Sequence, residues 1–96
     1  MTQEARLERN DERHRYELWL GDQRAGTLAY RDEDGALVLI ATRVDPAFEG
    51  HGYGSRLVAR ALADARAAGV KVIVECSFAR AWLERHPEQQ DLLLTA

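Results

Sequence analysis

Gly50-His51-Gly52-Tyr53-Gly54-Ser55 holds three alternating glycines ahead of a serine. Glycine lets the main chain approach a ligand without a Cβ clash. Where such a run opens a helix, the unpaired N–H groups of the first turn and the helix dipole favour an anion. A pyrophosphate accepts several such donors at once, and the Ser55 hydroxyl adds one more. A glycine-rich turn that merely starts a helix does not require three alternating glycines. Cys76 follows a β-branched run and precedes a helical segment, a position that lowers a thiol pKa. Glu75 beside it is a carboxylate, a group that can serve as a general base. Residue types alone favour plainer roles, a small buried thiol for Cys76 and a solvated strand-end acid for Glu75.

Several anions fit a glycine cradle. A P-loop needs G-x-x-x-x-G-K-[ST], and no lysine stands here. Gly50-x-Gly52-x-x-Ser55 approximates a dinucleotide fingerprint, with Glu75 about 20 residues on. A dinucleotide fold, however, continues through further parallel strands, and only one short helix follows Glu75.

The elements that must position these groups read as strands first. Tyr16, Leu18 and Leu20 alternate with Glu17 and Trp19. Ala25 to Tyr30 forms a second strand after the Gly21-Asp22 turn signal, and Leu37 to Val44 a third after Asp32-Glu33-Asp34-Gly35. The short turns predict an antiparallel meander, and the apolar third strand predicts burial on both faces. Asp45-Pro46 ends it. Leu57, Val58, Ala61, Leu62, Ala65 and Ala68 recur at helical spacing over 53–68, with Gly69 as the C′ residue. Val70 to Val74 is a short strand, so 37–74 has the length of a right-handed βαβ crossover. A final helix runs from Ser77, as N-cap, to His86, and Pro87 stops it. Leu92 to Leu94 are expected to cover an edge or an apolar gap, and residues 1–10 are expected to fray.

At 96 residues the chain is read as one domain, 1–96. Its single cysteine excludes an internal disulfide and a multi-cysteine zinc site. No two of His14, His51 and His86 have metal-ligand spacing, so no metal is expected. Net charge is −3, which argues against a nucleic-acid grip. Only residues 35–69, with four arginines against three acids, are net positive, and they hold the glycines. No apolar run is long enough for a bilayer, and the polar start is no signal peptide, so the expectation is cytoplasmic, off the membrane.

Val44-Asp45-Pro46-Ala47-Phe48-Glu49-Gly50-His51-Gly52-Tyr53-Gly54-Ser55-Arg56-Leu57-Val58 resembles motif A of the GNAT acetyltransferase superfamily, Q/R-x-x-G-x-G/A. Lys71 through Pro87 is similar to the ending of its minimal YjdJ-type branch: a strand, a Cys-Ser or Cys-Pro-aromatic step, then a helix closing with His-Pro. The resemblance covers roughly residues 14–93. It implies an α/β (α+β) GNAT-like domain with a mainly antiparallel sheet, a parallel splayed pair 37–44 and 70–74, a long central helix and a short C-terminal one. It implies acetyl-CoA in the splay as co-substrate, its arm along Thr42 to Val44, its pyrophosphate on Gly50, His51, Gly52, Tyr53, Gly54 and Ser55, and Ser77, Phe78 and Trp82 flanking the arm. Cys76 would lie near the thioester, as a thiol that accepts or relays the acyl group or that lines the pocket, with Glu75 as a possible base. The activity implied is N-acetyl transfer to a small-molecule or protein amine, by a monomer or weak homodimer.

Three positions depart from the pattern. Glu49 stands where Gln or Arg is usual, Ala41 where relatives carry histidine, and Trp82 where they tend to carry tyrosine. These departures motivate an alternative, an acyl-CoA-binding module without turnover. A dinucleotide-binding fragment is the third reading. His51 is either a phosphate contact or an exposed loop residue, and His14 and His86 are read as structural or exposed. Arg56 and Arg60 either meet the cofactor's 3′-phosphate or are solvated. Asp45 either takes a proton or caps the loop. Trp19 and Tyr30 are expected to pack the meander.

Overall fold

The computed structural model describes residues 4–94. Five strands, β1 (Ala5–Asn10), β2 (Arg15–Leu20), β3 (Gln23–Glu33), β4 (Ala36–Val44) and β5 (Val72–Val74), form one sheet in sequence order. The first four are antiparallel neighbours, and β5 lies parallel to β4. Helix α1 (Tyr53–Ala68) makes the crossover, and α2 (Ser77–Glu84) follows β5. This is the α+β architecture expected, with one strand more in the meander.

The added strand corrects the expectation that residues 1–10 fray; residues 1–3 lie outside the described residues. Ala5 and Leu7 alternate with Arg6 and Glu8, and β1 pairs with β2 from Ala5↔Leu20 to Asn10↔Arg15. Its residues are exposed or half-buried, so hydrophobicity gives little signal. Ala5 and Leu7 pack against the core, and polar anchors add to them. Arg9 donates to the Tyr30 hydroxyl through Nε and to the Tyr16 hydroxyl through Nη1, both at 3.2 Å. Arg60 reaches the Leu7 carbonyl at 3.4 Å.

The core lies on one face of the sheet. Tyr16, Leu18, Leu28, Tyr30, Leu37, Leu39 and Val72 meet Leu57, Val58, Ala61 and Leu62 of α1 and Ala79, Trp82 and Leu83 of α2 in a single buried cluster. Each buried leucine contributes about 1.5–3 kcal/mol. Tyr16 and Tyr30 are polar-tipped members. The Tyr16 hydroxyl donates to Asp64 at 2.8 Å, and the Tyr30 hydroxyl bonds Asp11. Burial first, then the Asp64 carboxylate, push the Tyr16 pKa up.

The opposite face carries Arg15, Glu17, Trp19, Arg31 and Arg43 by strand alternation, and no described helix packs there. Trp19 therefore does not join the core with Tyr30; its indole donates to Glu17 at 3.3 Å. Val38 on this face is nonetheless fully buried. Arg31, opposite it on β3, crosses β4 to bind both oxygens of Glu75, at 3.2 and 2.7 Å, and roofs it. Burial on both faces of β4 holds only for Ala36–Leu39; the rest is half-buried or exposed.

Three boundaries shift for physical reasons. Gly69, with φ 71°, closes α1, and the Val70 N–H donates back to the Ala65 carbonyl at 3.0 Å. Val70 is thereby used as a helix cap, and β5 starts at Val72 rather than 70. Cys76, not Ser77, is the N-cap of α2: its Sγ accepts from the Ala79 N–H at 3.4 Å. The helix ends at Glu84, because the His86 ring stacks on Trp82 (centroids 3.7 Å apart) and Nδ1 meets the Trp82 carbonyl at 2.7 Å. Beyond it Leu92 is buried, Leu93 bridges the outer edge of β5 and the Leu94 N–H donates to the Val72 carbonyl at 2.9 Å. Arg80 covers the next rung, donating to the Val74 carbonyl at 3.0 Å.

Candidate functional site

The site grows from a strand that outlasts its neighbour. β5 pairs only with Leu37–Leu39 of β4. The Leu39 carbonyl then accepts the N–H groups of Glu75 (2.9 Å) and Cys76 (3.0 Å), and the chain turns away into α2. At the same level β4 bulges: Ala29 faces Ala41 but Tyr30 faces Leu39, so Ile40 is the extra residue. A bulge bends its strand and re-aims the residues beyond it. The Asp45 N–H donates to the Ala25 carbonyl at 2.8 Å. By alternation, the main-chain groups of Thr42 and Val44 point the other way, into the gap β5 has left.

A cleft of about 460 Å³ opens from this gap. Thr42 and Val44 line it on the strand side, and Gly50, Gly52, Tyr53, Gly54 and Ser55 at the start of α1. Phe48, Glu49, Phe78 and Arg85 complete it. Eight of the expected binding residues thus share one cavity.

Each glycine has its own reason. Gly50 (φ 86°) and Gly52 (φ 76°) are left-handed, and a Cβ on either would meet nothing within 4 Å. They turn the chain and leave the space in front of the helix open. Gly54 is different: a Cβ there would stand 2.8 Å from Phe78 Cζ. It is small so that α2 can approach α1. Gly52 is the N-cap of α1, no side chain caps that end and the first turn holds no acid. The N–H groups of Tyr53, Gly54 and Ser55 therefore precede the first intrahelical bond, from Arg56 to the Gly52 carbonyl.

Three residues expected at the cofactor do not line the cleft. His51 is exposed and stacks on Tyr53, centroids 5.5 Å apart. Ser77 is exposed, its capping role taken by Cys76. Trp82 turns inward to the core and His86. Asp45 caps the loop, accepting from the Ala47 N–H at 2.9 Å. Arg60 is tied to Asp64 at 3.2 Å, and Arg56 lies with Glu4 and Ala5 beside the first strand. Neither arginine reaches the cleft.

Cys76 and Glu75 follow β5 where it parts from β4, and neither is among the residues that line the cleft. Cys76 is buried, 4% exposed, with Sγ 3.2 Å from Thr42 Oγ1. Thr42 in turn lines the cleft. Glu75 lies on the helix-free side, and its hydrogen bonds with Arg31 lower its pKa. Arg85 was missed from sequence, although it stands seven residues after Phe78. Two helical turns return a side chain to the same face, and that spacing is the signal.

A family model for GCN5-related N-acetyl-transferases matches residues 15–92, most of the chain. The chain belongs to the GCN5-related N-acetyltransferase family. The matched span contains every strand but β1, both helices and the whole cleft. Among solved structures, a GCN5-like candidate N-acetyltransferase from Staphylococcus aureus, determined by NMR, is similar at 24% identity and a TM-score of 0.73. The match covers 95% of this chain and 89% of that one, and at this identity it speaks for the fold alone. No curated protein matches. Acetyl transfer is the general chemistry that the family carries.

Proposed function

We propose that this protein is an acetyl-CoA-dependent N-acetyltransferase acting on a primary amine, of the minimal YjdJ-type branch and working in the cytoplasm. One observation carries the reading: the uncapped amides of Tyr53, Gly54 and Ser55 open into a cleft that runs to the unpaired side of β4. The residues fit the ligand. Main-chain donors at a helix start suit a diphosphate, and the free backbone of Thr42 and Val44 suits the amides of a pantetheine arm.

Acetyl-CoA, when bound, supplies an activated acetyl thioester. The chain's own groups bind and orient it. Backbone N–H near Val44 is the donor available to a developing oxyanion. An ammonium must lose its proton before it can attack, and Glu75, just past β5 where it parts from β4, is the carboxylate to accept it. Glu75 can accept a proton only as its Arg31 pair loosens. Cys76, whose Sγ lies 3.2 Å from Thr42 Oγ1, is the thiol that can accept the acetyl group with release of the CoA thiol and pass it to the amine, which restores the free Cys76 thiol. The helix-free sheet face is the approach left to the amine.

Calorimetry with acetyl-CoA, beside NAD and ATP, tests the binding half. We expect binding of acetyl-CoA alone, lost in Gly52→Val; equal or absent binding of all three defeats the proposal. Amine-dependent release of free CoA thiol tests turnover. We expect Cys76→Ala and Glu75→Gln each to lower it by about 10²-fold or more with affinity retained. The second reading, a carrier of acyl-CoA without turnover, is favoured by Ala41 and by the pairing of Glu75 with Arg31. It prevails if affinity is present and thiol release never exceeds hydrolysis.

A further inference from the structure

We propose that Arg85 is the ligand for a phosphomonoester and holds the 3′-phosphate of coenzyme A, an inference that rests on the acetyl-CoA reading. The two arginines that sequence offers for this task are elsewhere. Arg60 is committed to Asp64, and Arg56 lies against the start of β1. Arg85 lines the cleft, and among the described residues its guanidinium makes no hydrogen bond or ion pair. Among the described residues that line the cleft it is the one cation, and Glu49 is the one acid.

Position assigns the phosphate. Phe78 lies in the first turn of α2 and Arg85 is its C-cap, still in the right-handed helical region, so the two are seven residues and about 10 Å apart along the axis. Phe78 marks the α1 start, because its ring rests against Gly54. The Arg85 main chain therefore stands about two helical turns along the cleft from the amides that suit a diphosphate. A second anionic group, displaced from the diphosphate on the same ligand, meets this geometry. A guanidinium takes a phosphomonoester through two parallel N–H bonds.

The test is calorimetry of wild type, Arg85→Ala and Arg85→Lys with CoA and 3′-dephospho-CoA, with circular dichroism to verify the fold of each variant. Wild type should bind CoA at least about tenfold tighter than the dephosphorylated ligand. Arg85→Ala should bind both alike, at the wild-type affinity for 3′-dephospho-CoA, and Arg85→Lys should keep part of the preference. Equal weakening of both ligands by Arg85→Ala would reassign the residue to the diphosphate and overturn the proposal. An unchanged preference in a folded Arg85→Ala overturns it too. If wild type binds neither ligand, the acetyl-CoA reading itself falls and takes this inference with it.

Discussion

Single residues decide the charge inside the cleft. Glu49 and Arg85 are its two ionisable side chains with fixed opposite charge, and the rest of the polar lining is main chain, Thr42, Tyr53 and Ser55. A carboxylate near a diphosphate opposes it across a partly screened distance. Glu49→Gln should therefore raise CoA affinity several-fold by calorimetry, an effect that shrinks with added salt. No gain at low ionic strength would place Glu49 out of electrostatic reach. At this scale the sequence was informative about backbone and poor about side chains. Gly50, Gly52 and Gly54 were legible because glycine declares its purpose locally. The inward turn of Trp82 was not, since it depends on His86 stacking against it and on a core assembled from β2 to β5 and both helices.

Elements meet where α2 crosses the start of α1. A helical glycine replaced by alanine ordinarily gains about 1 kcal/mol. Gly54→Ala should forfeit that gain, because the new methyl would overlap the Phe78 ring. The ring is 39% exposed and can move, so the domain still folds, with Phe78 displaced into the cleft. We expect a melting temperature no higher than wild type and weakened CoA binding. A clear rise in melting temperature with unchanged affinity would show that the contact is slack. The strands and both helices were readable from periodicity and turn residues. β1 was not, because only Ala5 and Leu7 of it pack against the core, and Arg9 and Arg60 add hydrogen bonds to distant tyrosine and backbone oxygens.

The whole molecule carries acids whose pKa values fold into place. Glu17 is almost buried: burial alone would raise its pKa, but hydrogen bonds from Arg15 and Trp19 outweigh that and lower it. The pKa values of Asp11, Glu75 and Asp91 are lowered as well. A group whose folded pKa is depressed stabilises above its unfolded value and loses that contribution as pH falls through the folded one. Tyr16 and Tyr30 have raised values, so their contribution is full below the unfolded tyrosine range and lost above it. The melting temperature should therefore be flat between about pH 5 and 9, falling below about 4 and above about 10. Glu17→Gln should lower the plateau and flatten the acid limb; an acid limb as steep as wild type would remove Glu17 from the account.

The sheet's two flanks have a consequence for life in a crowded solution. A vacant row of backbone donors and acceptors invites a stranger's strand, the first step to filaments. On one flank such a guest would have to lie along Arg6, Glu8 and Arg9, a row already occupied by its own ion pairs. On the other it would find three residues only, one rung taken by Leu94 and the next by the Arg80 guanidinium. A fold with so little interior has closed both ends of its ladder with the cheapest parts available, a few charges and the return of its own chain.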